Sequence, residues 1–422
     1  MWNIHGKTYN LKPFLHKHPG GKAVLEACMG NDDLTPIFES YHAFSNMSTI
    51  KSIMKNYEVC ACQPSKTLFA TDGFYRTLQK RVINQLKNNT KADIYLIFKI
   101  LVQTSLFVVN FYYVFFYSKI YTIDTIDTID TIYRILSAIA AGHMLVQVGL
   151  CAMHDASHMA ITKNPIINEF ISNIWNAIAL WDSQLWCYHH VIRHHAFTGD
   201  IDKDPDIIHF KPFIRKSREI SSNKYLNISK KFPITTAILT TCIFPGMFIG
   251  QGFLYNIVWL KKKNLWKMKI PENYKFFIFQ NMIKLFMLFS FVYGGSIFIF
   301  FVYAISMNIT YAICILPDHD TYETNQNHIK YSIDKDWGEL QVRHSASFCT
   351  QNSWICYLFG GINYQIEHHL FPSVSHIHLH KIKPIVEKTC KEFDIPYVHY
   401  SSFYTAIRGT LKQYLYTSKE EF

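Results

Sequence analysis

Three short histidine clusters, far apart in the chain, restrict its fold more than any other feature. His154 and His158 stand in HDASH, His190, His194 and His195 in HVIRHH, and Gln365, His368 and His369 in QIEHH. Long apolar runs lie beside them. Imidazole is the commonest metal ligand among side chains, and grouping so many costs buried polarity unless something binds them. The clusters have to converge in the fold. We read them as a two-metal centre that the remaining chain holds, feeds with electrons and presents with an apolar substrate.

HDASH puts His154 and His158 four residues apart, so on a helix both leave one face. Taken alone, such a pair is an ordinary polar helix end; the downstream clusters make it a ligand pair. His190 and His194 repeat the spacing, with His195 offset toward a second metal. Asp202, Asp204 and Asp206 follow, either as acceptors that fix imidazole tautomers or as a solvated acidic turn. His319, in ILPDHDTYE, is either an eighth imidazole or a loop histidine. Gln365 occupies the place where an HxxHH pattern supplies another imidazole, and ligates weakly or through water.

The intervening sequence sets the environment. Of 422 residues, 49% are hydrophobic and 17% charged, against about a quarter charged in soluble proteins. Residues 94–117 are long enough at about 1.5 Å per residue to cross a bilayer core of roughly 30 Å, with Lys99 placed to snorkel. TIDTIDTIDTI, with Asp124, Asp127 and Asp130, reads as a short loop on the far side. Residues 133–153 cross back and deliver the first cluster. Asn168, Asn173, Asn176 and Asp182 interrupt 165–187, which is expected as a half-buried helix lying along the membrane. Residues 275–291 and 294–316 form a hairpin that turns at Gly294 and Gly295.

Positive charge fixes the topology. One basic stretch holds Lys211, Arg215, Lys216, Arg218, Lys224, Lys230 and Lys231, and a second Lys261, Lys262, Lys263, Lys267 and Lys269. With both cytosolic, the run 234–260 is not a crossing, and Pro245, Gly246, Gly250 and Gly252 suit a re-entrant segment. Four crossings result, with every histidine cluster on the cytosolic side. The +11 formal charge is dispersed beside these spans, which favours a membrane face over nucleic acid. Ten cysteines without a paired CxxC unit read as reduced thiols. MWNIHGKTYN has no apolar core, so insertion is expected to depend on the internal spans.

Residues 1–55 look soluble. His18 heads a Pro-Gly-Gly turn, and His42, 24 residues later, ends a second short amphipathic piece. The two either clamp a flat cofactor between walls that include Leu25, Leu34, Ile37 and Phe38, or are a turn residue and a surface residue. Bis-histidine ligation saturates haem iron and suits electron transfer. In residues 56–92, Phe74, Leu78, Val82 and Leu86 recur every four residues among basic ones, as in an interfacial or a linker helix.

Neutral ligands without clustered carboxylates point away from Glu-rich di-iron bundles, and their number away from four-coordinate structural zinc. Iron suits imidazole, and a tethered electron carrier calls for a redox reaction. Residues Trp2 to Ser45, with GKTY, HPGG, GNDDLTPIF and His42, resemble a cytochrome b5 domain that lacks the family's segment before GKTY. HDASH, HVIRHHAFTGDIDKDPDI and QIEHHLFP, together with that domain, resemble the front-end membrane fatty acid desaturases of the delta-5, delta-4 and delta-6 kind. The glutamine of the third box is their hallmark, and the three-residue gap of the second box occurs in the delta-5 and delta-4 groups. DWGELQV from Asp336 is also similar. Gly199 and Asp200 depart from a Thr-Asn pair found in many relatives.

The resemblance implies an α-helical integral membrane di-iron body of about four transmembrane helices plus interfacial helices, behind an N-terminal α+β haem domain. The expected boundaries are 1–55, 56–92 and 93–422. It implies two non-haem irons on His154, His158, His190, His194, His195, His319, Gln365, His368 and His369, and haem b on His18 and His42. Electrons come from NADH through cytochrome b5 reductase, and O2 is co-substrate. A cis double bond enters between an existing one and the carboxyl end of an acyl chain carried as acyl-CoA or phospholipid, at the endoplasmic reticulum. Trp181, Trp186, Tyr188 and Tyr364 are candidates to line the acyl slot. The alternatives are a sphingolipid long-chain-base desaturase, a fatty acid hydroxylase, and a non-catalytic membrane haem carrier.

Overall fold

Apolar length decides which helices form the body of the molecule. The structure is a computed structural model that describes residues 1–30, 33–63, 65, 68–87, 89–117, 128–208, 210–218, 220–243, 252, 256, 264–265, 268–269, 274–326 and 335–419. Ile94–Tyr117, Thr128–Ser157 and Ile297–His319 are each long and apolar enough to cross a membrane. A further helix, Tyr274–Tyr293, precedes the last of these. Gly295 turns the chain between them at φ +69°, where a side chain is disfavoured, and Ser296 caps the next helix by accepting from Ile299 N. Ile94, Val109, Val292 and Ile297 are exposed and form an apolar outer surface. The protein is a mostly helical membrane protein.

Close approach holds the bundle together. A Cβ on Gly142 would lie 2.4 Å from the Tyr303 carbonyl oxygen, so this small residue lets Thr128–Val148 and Ile297–His319 meet backbone to backbone. Ser306 Oγ donates to Ile139 O across the same contact, at 2.8 Å. Phe107, Phe111, Phe115, Leu145, Tyr303 and Met307 fill the interior. Lys99 does not snorkel; its ammonium donates to the Tyr357 carbonyl at 2.8 Å and lies 4.0 Å from that ring's centroid.

The segment expected along the membrane is helical over Pro165–Ile178, with its polar residues turned inward. Asn168, Asn173 and Asn176 are buried while Ile166, Ile167 and Phe170 are exposed. Asn173 Oδ1 accepts from Ser183 Oγ at 2.7 Å, and Asp182 meets buried Lys284 at 3.4 Å. Pro233–Cys242 is a shorter apolar helix, about half a bilayer core at about 1.5 Å per residue. Asp124, Asp127, Pro245, Gly246, Gly250 and Lys261, Lys262, Lys263 and Lys267 lie outside the described residues.

At the N-terminus, β1 (Trp2–Ile4), β2 (Lys7–Tyr9) and β3 (Glu58–Ala61) make an antiparallel sheet in the order 1-2-3, with Trp2 opposite Tyr9 and Thr8 opposite Cys60. Three short helices follow β2: α1 (Lys22–Cys28), α2 (Thr35–Tyr41) and α3 (Met47–Lys55). The next helix, α4 (Phe74–Leu86), carries the stripe Phe74, Leu78, Val82 and Leu86. All four are buried against Trp337, Phe371, Ile382 and Val386. The stripe faces protein, not lipid, because the helix Leu379–Glu392 covers it.

The N-terminal unit is docked on the second histidine cluster. Trp2, Ile37 and Phe38 share a core with Leu185, Tyr188, Ile192 and Phe197. Buried Glu39 takes His5 Nε2 at 2.7 Å and Arg76 at 2.5 Å, and Gln79 donates to Ala43 O at 2.7 Å. These contacts hold α2 against α4 and place its last turn beside the first histidine cluster.

Candidate metal centre

Two of the three histidine clusters sit on π-helical turns, Gly149–His154 and Cys187–His194. Such turns widen the helix by one residue; His195 N reaches the carbonyl five residues back, on His190, at 3.1 Å. His190 and His194 do share a face, their rings stacked at 22° with centroids 5.4 Å apart, but it is His194, not His195, that is offset toward the second group. His190 joins His154, His158 and His368, and His194 joins His319 and His369; within each group the ligand atoms lie within 4.8 Å of one another. His195 sits nearer the first group, its Nε2 3.3 Å from His190 Nε2 and 3.2 Å from His368 Nε2. Its ring stacks on His369 at 4.2 Å.

Outward hydrogen bonds fix the tautomers. His194 Nδ1 donates to Asp204 at 3.0 Å, His319 Nδ1 to the His344 carbonyl at 2.8 Å and His369 Nδ1 to Gln341 Oε1 at 3.0 Å. His158 Nδ1 lies 2.5 Å from the Tyr41 hydroxyl. When neutral, each of these rings presents the Nε2 lone pair inward. Across the interior, His154 and His190 face each other at 3.1 Å and His194 and His319 at 3.2 Å, Nε2 to Nε2.

Burial, reinforced by neighbouring imidazoles, pushes His158, His190, His195, His368 and His369 well below the usual histidine pKa. They are neutral and competent as ligands. Burial also acts on His194, but the Asp206 and Asp204 carboxylates outweigh it and raise the group to about 9. Those carboxylates supply negative charge beside the ring. Asp206 also pairs with His189 at 2.5 Å. Of the three aspartates in the run, Asp204 and Asp206 hold histidines and Asp202 is exposed. Gly199, at φ +84°, donates its N–H to Asp204 Oδ2 at 2.8 Å.

Gln365 belongs to the second group. Its amide nitrogen lies 2.8 Å from His319 Nε2 and 3.1 Å from His369 Nε2. The amide oxygen is buried with no hydrogen-bond partner among the described residues. Exchanging the two amide atoms turns the oxygen toward the imidazoles, the arrangement a metal ligand needs.

The donor set fits iron. His194 and His319 both turn Nδ1 outward, so when both are neutral their facing Nε2 lone pairs, 3.2 Å apart, repel unless a cation lies between them. His158 Nε2 is likewise buried with no hydrogen-bond partner among the described residues. Imidazoles and one amide suit iron, and their separation into two groups suits a pair of ions.

The N-terminal histidines also fit their cofactor. Their ring centroids are 6.2 Å apart, which leaves room for one iron between them at imidazole–metal bonds of about 2 Å. His18 Nδ1 donates to Gly21 O at 3.1 Å and His42 Nδ1 to Phe38 O at 2.7 Å, so each offers Nε2. Burial lowers both pKa values. A Cβ on Gly20 would lie 2.8 Å from the His18 ring, which accounts for the glycine after Pro19. Leu34, Ile37 and Phe38 are buried and Leu25 half-buried.

A cavity of about 190 Å³ opens beside the metal centre, bounded by His154, His190, His194, His319 and Gln365 at one side. Its apolar walls include Leu150, Trp175, Trp181, Trp186 and Met307. Trp181 and Trp186 thus line the space proposed for them from sequence. Tyr188 and Tyr364 do not, since Tyr188 packs under the N-terminal unit and Tyr364 in the core around Trp337.

Sequence reasoning missed several partners of the ligands. Tyr41 and Gln341 gave no local signal, because they meet their histidines across 117 and 28 residues. Asp155 adjoins His154 and accepts from His376 Nδ1 at 3.0 Å and Ser375 Oγ at 2.7 Å, tying the first cluster to the stretch after the third. The ion pair of Lys216 and Asp320, at 2.8 Å, lines the polar side of the cavity.

Comparison with known proteins agrees with this architecture. Residues 131–401 match the family described as Fatty acid desaturase, and residues 1–63 match the Cytochrome b5-like Heme/Steroid binding domain. The Probable Delta(5) fatty acid desaturase C of Dictyostelium discoideum is 26% identical over 97% of this chain and 90% of its own length. The Acyl-lipid (8-3)-desaturase of Physcomitrium patens is 27% identical, over 96% and 85%. The chloroplastic Acyl-lipid (7-3)-desaturase of Chlamydomonas reinhardtii is 26% identical, over 97% and 79%.

Proposed function

The chain belongs to the fatty acid desaturase family, and from there we propose that it is a front-end acyl desaturase. In this reading it inserts a cis double bond between an existing one and the carboxyl end of a polyunsaturated acyl chain. The observation that carries it is the convergence of inward-facing Nε2 atoms in two groups at the wall of an apolar cavity. The names of the Dictyostelium, Physcomitrium and Chlamydomonas relatives supply the front-end regiochemistry.

His154, His158, His190, His195 and His368 hold one iron, and His194, His319, His369 and Gln365 the other; His18 and His42 hold haem b. When bound, the iron pair supplies the O2-derived oxidising power that an unactivated C–H bond requires. The protein supplies the remainder. Asp204, Gln341 and the His344 carbonyl keep the imidazole Nε2 atoms turned inward. Trp175, Trp181, Trp186 and Met307 exclude water around the acyl chain, and fixing that chain selects the carbon pair. Lys216 and Asp320 lie on the polar side of the slot.

We place the haem unit over 1–63, past the 55 expected from sequence because β3 pairs with β2, then a connecting segment to 92 and the desaturase body over 93–422. Its partners are an acyl-CoA or phospholipid substrate in the bilayer and a cytochrome b5 reductase that passes on electrons from NADH; nucleic acid is not among them. We place the protein in the endoplasmic reticulum with haem unit and metal centre facing the cytosol, on the basic stretch between Lys211 and Lys231. Feeding defined polyunsaturated acids to an expressing host tests the assignment. New double bonds on the carboxyl side of existing ones are expected. Unsaturated long-chain bases or hydroxylated acids in their place would contradict it.

A further inference from the structure

We propose that Tyr41 is a positioning residue that couples the haem cradle to the metal centre, linking His42 to His158. The link presupposes the haem and iron assignments above. Tyr41 is the last residue of α2 and His42 caps that helix, so the two share a peptide bond. The Tyr41 hydroxyl lies 2.5 Å from His158 Nδ1, and the two rings run nearly parallel at 15°, with centroids 6.1 Å apart. His158 Nε2, at the other end of that imidazole, is buried with no hydrogen-bond partner among the described residues and lies in the first ligand group.

With its lone pair at Nε2, His158 carries its proton on Nδ1 and donates it to the phenol oxygen. A carboxylate, carbonyl or water commonly accepts from a ligating histidine; a phenol attached to the neighbour of a haem ligand ties two sites together. The path from the His42 ring to Tyr41 Oη is covalent throughout, and a single short hydrogen bond completes it. The contact is held from both sides. Glu39, two residues earlier, is gripped by His5 and Arg76, and Ala43 by Gln79.

Each passage moves one electron and no proton. With both cofactors bound, the electron would leave a ferrous haem held by His42 and reduce a ferric ion held by His158, while Tyr41 and His158 would keep their hydrogens. The reductant is the haem itself, recharged through the reductase.

The experiment uses the full chain loaded with haem and iron. Flash photoreduction of the haem under anaerobic conditions, with the metal centre ferric, is followed as the decay of the ferrous haem band. Tyr41→Phe keeps the ring and removes the oxygen. In chains that hold both haem and iron, counted on the same sample, it should slow the first-order decay about tenfold, the lower end of what a lost hydrogen bond to a ligating histidine costs a metal site. An unchanged decay overturns the proposal. In a second measurement, excess small-molecule reductant charges the metal centre directly before substrate and O2 are added. A single-turnover yield from Tyr41→Phe that matches the wild type per bound iron, whatever the iron occupancy, supports the coupling role. A yield that falls per bound iron reduces Tyr41 to a structural support and overturns it. Should the unaltered protein hold haem without non-haem iron, the desaturase reading itself falls.

Discussion

At the haem cradle, two imidazoles 24 positions apart in one stretch are oriented by the backbone, through the carbonyls of Gly21 and Phe38. At the metal centre the ligands come from four stretches between His154 and Gln365–His369 and are oriented largely by side chains: Asp204, Gln341 and Tyr41. His18 and His42 are half-buried, whereas His158, His190, His194, His195, His368 and His369 are buried. A site built by local turns survives changes elsewhere in the chain. A site built by convergence depends on every helix that delivers a ligand, and its supports can be removed one at a time.

That contrast can be broken most sharply at the ligands. His194→Ala should abolish desaturation and leave the haem spectrum intact, as read by product analysis and absorbance on one preparation. His42→Ala should do the reverse, removing the bis-histidine haem spectrum while non-haem iron stays bound. If either variant lost both cofactors, the two sites would not be independent units. Next in size are the supports. Asp204→Asn and Gln341→Ala should each weaken iron binding or activity by about 10-fold to 100-fold, measured by chelator competition. No Gly20 substitution should have that effect on non-haem iron.

The smallest effect is expected in the acyl slot. Ala312 is 3% exposed and lines the cavity. Ala312→Leu should cost about 1–3 kcal/mol by overpacking, leave both cofactors in place and shift preference toward shorter or less bent acyl chains. A substrate competition read by gas chromatography checks this. An unshifted chain-length preference would mean that the acyl chain lies elsewhere.

The two sites also differ in how far residue order reveals them. HPGG and His42 announce a clamp, since turn chemistry and short helical pieces are local. The spacing of His154 and His158 correctly places both in one group, and His319 stands out by following an apolar run. That His190 and His194 share a face was legible, but their split between two groups was not, because it depends on where His154, His158 and His368, or His319 and His369, arrive from elsewhere in the chain. Among three equivalent aspartates, only tertiary packing separates Asp204 and Asp206 from Asp202. The stripe on α4 was legible as a face but not as to what covers it, because Leu379–Glu392 lies some three hundred residues downstream. Likewise, Tyr188 and Trp186 look alike as interface aromatics, yet one packs under the N-terminal unit and the other lines the cavity.

The convergence of nine side chains into a two-iron centre is tested most directly by counting metal and haem together on one purified sample. One haem and about two non-haem irons per chain are expected, with the non-haem iron lost in His194→Ala and the haem retained. A chain that carries haem but no non-haem iron, or whose iron survives that substitution, would contradict the account.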